Sequence, residues 1–232
     1  MRPIFQLNMQ YMIVLIVFLC SVNATANDSP PIPIGKEYQG NKCAAAVGDF
    51  AVQIPGAPKI VGDGLREMLM TALFESNYFD VLDRMDTDGI SAEQLLSKSF
   101  MADPDSILND KGMIPAEVMI YCTLVNLEGG GAGLKVKIPW APLTIGGKYQ
   151  EAKAIIEIKA IDNATGRVIA IDSIEGTAIS TGGSIGTVLN GIPLPVELEA
   201  FKNTPLELCI RDCILRGVIS LCSNIPKEYL KH

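Results

Sequence analysis

The chain has a single histidine, His232, a single tryptophan, Trp140, and aromatic residues at only 6%. With no internal histidine, a Ser-His or Cys-His nucleophile pair has no base unless His232 folds back onto it. Positive charge is the minority, 19 Lys and Arg against 26 Asp and Glu, and no basic run interleaves with aromatics. Such a chain has no surface for tracking a phosphate backbone, so nucleic acid is not an expected partner. Long apolar runs are missing as well. The one near the start, 12–19, falls well short of the roughly 20 residues that a membrane helix needs.

That short run has another use. Arg2 precedes it and Ala24-Thr25-Ala26 follows as a small-x-small cleavage pattern, so 1–26 reads as a signal peptide and the chain as exported. Cys20 lies inside the run but follows Leu19, where a lipoprotein signal carries a small residue, so lipidation there is disfavoured. After cleavage Cys43, Cys122, Cys209, Cys213 and Cys222 remain, an odd number that leaves at least one thiol unpaired. Cys43 and Cys122 sit in strand-like runs, and Cys209 and Cys213 on the apolar face of a helix pattern. They are expected to be buried small hydrophobes. A zinc site at Cys209, Cys213 and Cys222 would lack both a CxxC pair and a histidine ligand.

Other patterns fail on their spacing. Gly62-Asp63-Gly64 resembles the start of a dinucleotide fingerprint, but Glu67 stands where the third glycine should be. Asp83, Asp86, Asp88 and Glu93 around Gly89 suggest a calcium loop whose first and twelfth positions would be Arg84 and Leu95, neither of them suitable. Gly129-Gly130-Gly131 lacks the Gly-Lys-Ser/Thr of a phosphate loop. No catalytic, cofactor-binding or metal-binding residue is singled out, and the chain is not read as an enzyme.

The pattern along the chain is that of an α+β domain over 42–232, after a Pro- and Gly-rich extended leader at 27–41. A strand is expected at 42–52, then a helix through Leu65, Met68, Leu69, Ala72 and Leu73 with Asp63 as its cap. A half-buried strand follows at 78–84, and a second helix opens at Ser91 with Gln94 completing a capping box. Strands at 117–127, 153–162 and 167–175 come next, the last two joined at Asn163-Ala164-Thr165-Gly166 as a hairpin. Leu206, Cys209, Ile210, Cys213 and Ile214 mark a terminal helix. The order β-α-β-α-β-β-β-α predicts helices packed on a sheet as a sandwich.

Two stretches, about 129–150 and 180–203, are longer than ordinary connections. In the first, Leu134, Val136 and Ile138 alternate with Lys135 and Lys137. Pro139-Trp140-Ala141-Pro142 then turns the chain before Leu143 and Ile145. In the second, Gly182, Gly183 and Gly186 precede Val188, Leu189, Ile192, Leu194, Val196 and Leu198. Both are expected to be hairpins extending out of the sheet.

The segments 65–73, 78–84, 116–121, 162–168 and 203–210, in that order and spacing, resemble the CsgG family of curli-secretion channels, which also includes holdfast-anchoring proteins. The resemblance runs from about Lys42 to Leu221. It implies a periplasmic α+β domain that assembles as a homo-oligomeric ring, with two hairpins per subunit joining into one outer-membrane β-barrel. The partners it implies are a secreted polypeptide substrate, periplasmic accessory proteins and the outer membrane. On that reading the apolar residues of both stretches, Trp140 included, belong to membrane hairpins, while Lys135 and Lys137 face the lumen. The family's constriction loop would correspond to 53–61, which is short and lacks aromatic and Asn residues. The alternative is a soluble periplasmic interaction module, since the LpoB and TolB amino-terminal domains look like relatives of this core.

Overall fold

The computed structural model describes residues 38–103, 108, 112–130, 136–137, 144–145, 149–181, 192–202 and 204–231. Their elements are β1 (Cys43–Val52), α1 (Lys59–Ser76), β2 (Phe79–Leu82), α2 (Thr87–Ser97), β3 (Val118–Gly130), β4 (Val136–Lys137), β5 (Thr144–Ile145), β6 (Tyr149–Asp162), β7 (Val168–Thr181) and α3 (Pro205–Asn224). Two 3-10 turns, Val196–Phe201 and Lys227–Tyr229, flank α3. The main sheet runs β2-β1-β3-β6-β7, with β1 parallel to both neighbours and the remaining pairs antiparallel. The mixed α+β architecture expected from the pattern is present.

Periodicity dictates the packing. Leu65, Met68, Leu69, Ala72 and Leu73 recur at helical spacing and all are buried, so α1 lays one stripe on Cys43, Ala45 and Val47 of β1. A Cβ on Gly62 would lie 2.4 Å from the Phe50 carbonyl oxygen, so this glycine sets how closely α1 approaches β1. The helix starts one turn before the expected cap, because Pro58, extended at φ −66° and ψ 147°, hands directly into Lys59. Asp63 therefore lies inside α1 and pairs with Lys59 at 2.9 Å. At the other end Asn77 takes the left-handed conformation, φ 60°, and donates to Phe74 O, which stops the helix.

The start of α2 also differs from the sequence reading. Asp86 caps it by accepting from the Gly89 amide at 2.9 Å. Ser91 is then inside the first turns, where its hydroxyl donates back to Thr87 O at 2.7 Å, so the expected capping box does not form. Asp83 accepts from the Met85 amide at 2.8 Å. These two acids shape a turn and a cap. Among the described residues no three His, Cys, Asp or Glu side chains cluster as a metal site would require.

The β6–β7 hairpin turns at Asn163 to Gly166, the latter at φ 72°. Asp162 accepts from the Ala164 amide at 2.9 Å and from the Thr165 hydroxyl. These bonds, the Thr165 one first, hold its carboxyl below the usual range. α3 begins on Thr204 with Pro205 in its first turn and presents Cys209, Cys213, Ile214 and Val218, all buried, to the sheet.

Candidate assembly site

The three strands β3, β6 and β7 run further than their hydrophobic patterns suggested. β1 accompanies β3 only as far as the pair Val52 and Leu124, where a register shift follows at Leu124/Asn126. From Asn126 to Gly130, the one described strand paired with β3 is β6, out to Gly130 opposite Glu151, while β6 and β7 stay paired to Tyr149 and Thr181. Among the described residues, β7 has a partner on one side only. Among the described residues the distal sheet is thus a three-stranded ribbon with no strand paired to either edge, and unpaired edges are templates for further strands.

Its faces differ. Away from the helices, Glu128, Lys153 and Thr177 form one row, and Lys153 pairs with Glu175 at 2.8 Å. Toward the helices lie Leu127, Ala152, Ala154 and Gly176, all buried. The Cys209 thiol donates to Gly176 O at 2.9 Å, and a Cβ on Gly176 would meet the Cys213 sulfur at 2.6 Å. This glycine therefore lets α3 lie directly on β7. Strand glycines at such close approaches are a readable signal that the hydrophobic pattern alone passes over.

The cysteines are packing groups, as expected: Cys43, Cys122, Cys209 and Cys213 are buried, and Cys222 is half-buried. Burial pushes the Cys43 thiol up to about 12 and the Cys222 thiol up to about 11. It also raises Cys122. The hydrogen bond with Cys209, together with burial, raises Cys213. Raised thiols remain protonated at neutral pH and are poor nucleophiles or metal ligands.

Of the first insertion, two short strands are described. β4 pairs antiparallel with β5, Val136 opposite Ile145 and Lys137 opposite Thr144. Leu134, Lys135, Ile138, Trp140 and Leu143 lie outside the described residues, as do Val188 and Leu189 in the second insertion.

The far end of the second insertion is not a hairpin strand. Ile192 and Leu198 are core residues, Leu194 packs partly against the core, and Val196 is exposed at the start of a 3-10 turn. Pro193 and Pro195 lack the amide that a ladder needs, and Pro195 caps the turn instead. Leu198 then docks on α1, where a Cβ on Gly64 would lie 2.9 Å from Leu198 Cγ. Arg211 fixes the segment from the other side, donating to Ile192 O while pairing with Glu207 at 2.8 Å. The excursion at 180–203 therefore ends before Ile192.

The loop after β1 is tight. Gln53 N donates to Leu124 O at 2.9 Å, Ile54 is buried, and α1 begins at Lys59. No described helix is long and apolar enough to cross a membrane.

Several solved structures have related coordinates at low identity. A hypothetical protein of Chlamydia trachomatis has a TM-score of 0.47 and 13% identity, covering 79% of this chain and 97% of that one. The PelC dodecamer of Paraburkholderia phytofirmans has a TM-score of 0.40 and 12% identity over 81% of this chain and 92% of its own. The lipoprotein GNA1162 of Neisseria meningitidis has a TM-score of 0.33 and 12% identity over 61% and 87%. No curated protein matches the chain. The pattern of the curli production assembly/transport component CsgG matches residues 36–231, nearly all of the α+β domain, and the chain therefore belongs to the CsgG family.

Proposed function

We propose that this protein is an envelope secretion or anchoring component for an extracellular fibre or adhesin, working as a homo-oligomeric ring with a shared outer-membrane barrel. It acts by passive passage or attachment, not by catalysis. Beyond family membership, the observation that carries the reading is the β3–β6–β7 ribbon, which leaves the helix layer with two open edges and leads into a long excursion. Backbone groups in lipid need partners, and a barrel closed between copies supplies them to every edge. The β3 edge of one copy would join a strand of its neighbour.

The length of the first excursion fits. Between Gly129 and its partner Ala152 lie 22 residues. Two arms of about 9 residues and a short turn suffice, and a membrane strand needs about 9 to 11. On this reading 131–150 enters the membrane, with Leu134, Val136 and Ile138 toward lipid and Lys135 and Lys137 toward the lumen. The signal peptide at 1–26 and the leader at 27–41 belong to the same proposal.

The second excursion fits less well. Between Ala178, which packs against the core, and the buried Ile192 lie 13 residues. That gives arms of about 5, short of a span. This observation favours the other reading, a periplasmic interaction module whose excursions are recognition loops. Fractionation separates the two. The channel reading predicts that the full chain sits in the outer membrane as an oligomer resistant to carbonate washing. A soluble periplasmic monomer would sink it.

A further inference from the structure

Among the described residues, little packs on α2. It spans Thr87–Ser97, only Ser97 in it is buried, and helices this short are marginal in water unless something packs on them. The apolar residues around it face outward: Leu95 is 71% exposed, Met101 73% and Phe100 98%, with Met85 and Ile90 exposed beside them. Single exposed hydrophobics are ordinary, but so many in one segment mark an interaction surface. Its charged rim is acidic, with Asp86, Asp88 and Glu93 against Lys98.

A second uncovered surface lies on the helix-free face of the sheet. A sheet face left to water should be polar, as the row Thr123, Glu157 and Ser173 is. The next two rows toward the hairpin turn break that rule. They are Tyr121, Lys159 and Ile171, then Met119, Ile161 and Val168. Ile171 is 70% exposed, and Val168 is exposed as well. Lys159 lies 5.7 Å from the Tyr121 ring centre, and Arg167 flanks the rows at the turn. Glu175, higher on the same face, is already paired with Lys153.

We infer that these two surfaces are the halves of one contact, with the acidic apolar face of α2 on one copy docking on the Tyr121, Lys159, Val168 and Ile171 face of the next. Both stand exposed in the same chain, so neither covers the other within it. Their charges are complementary, Glu93 and Asp88 against Lys159 and Arg167, which sets orientation and register more than affinity. The contact joins different surfaces of identical copies and so repeats head to tail, and such contacts close into rings when the rotation allows. This inference rests on the ring reading above and names the surfaces that would build the ring outside the membrane.

The test uses two differently tagged full-length chains co-expressed with their signals, one Leu95→Cys and the other Ile171→Cys, treated with a short bismaleimide. Both sites are exposed, so both variants are expected to fold. The mixed pair is expected to give a two-tag product at least ten-fold above either variant mixed with itself. The charge-reversed Glu93→Lys and Lys159→Glu are each expected to weaken assembly, and the double variant to restore it. An oligomeric protein that gives no mixed product, or only like-with-like products, overturns this contact and leaves the ring reading standing. A wild-type chain that is monomeric in detergent and in membranes overturns both.

Discussion

Replacing Leu198 with alanine separates a core residue from a membrane-hairpin residue. Leu198 is fully buried against α1 and Phe201, with Gly64 making room for it. Truncation removes three carbons from a packed site that α1 and α3 hold open, and such changes cost about 2 to 5 kcal/mol. For a domain of this size each kcal/mol lowers Tm by roughly 2 to 4 °C, so a loss on the order of 10 °C is expected. The control is Val196→Ala, two residues away but exposed. Its effect should lie within about 0.5 kcal/mol. Thermal unfolding followed by circular dichroism, at one protein concentration because assembly shifts Tm, measures both. If Leu198→Ala were as mild as Val196→Ala, the placement of 192–201 in the core would be refuted.

Other substitutions read other contacts. Gly176→Val puts a side chain where the Cys213 sulfur and Cys209 carbonyl lie, and overpacking of this kind costs about 1 to 3 kcal/mol, measurable by urea unfolding. Asp162→Asn removes the charged acceptor of the β6–β7 turn. Its carboxyl is held low in the fold, so its contribution is present above the unfolded carboxyl range and fades as pH falls through the folded value. Wild type should therefore be the more stable at pH 7, and the gap should shrink toward pH 2 in paired unfolding curves. In native labelling with a maleimide, Cys222 should react slowly and first, while Cys43, Cys122, Cys209 and Cys213 react only after denaturation, as mass spectrometry of the modified peptides would show.

Much of the fold was legible because period and burial agree. The stripe of α1, the alternation of β6 and the Asn163 to Gly166 turn each specify one local structure, and tertiary packing reinforces it. Helix starts were less legible. Asp63 and Ser91 are good cap residues, but Pro58 and Asp86 stand nearer the ends of the preceding strands, and the chain turns at the first workable cap. The second insertion was misread for a different reason. Ile192, Leu194, Val196 and Leu198 alternate like a strand, yet Pro193 and Pro195 remove the amides a strand would use, and Ile192 and Leu198 are buried in the core, Leu198 from within a 3-10 turn. The open ribbon edges left little trace, since edge and central strands share one hydrophobic pattern. The exposed face of α2 is likewise ambiguous in sequence, where its leucines look like those of any buried helix.

In the shared-barrel reading, the excursion after β3 carries the membrane attachment. The most direct measurement replaces 131–150 with a short Gly-Asn hairpin turn between Gly130 and Glu151, which already stand opposite each other. The variant and wild type are then compared for carbonate-resistant recovery in the outer membrane. The variant is expected to keep its circular dichroism spectrum and to leave the membrane for the soluble periplasmic fraction. A variant that stays integral to the outer membrane, folded and oligomeric, would contradict it.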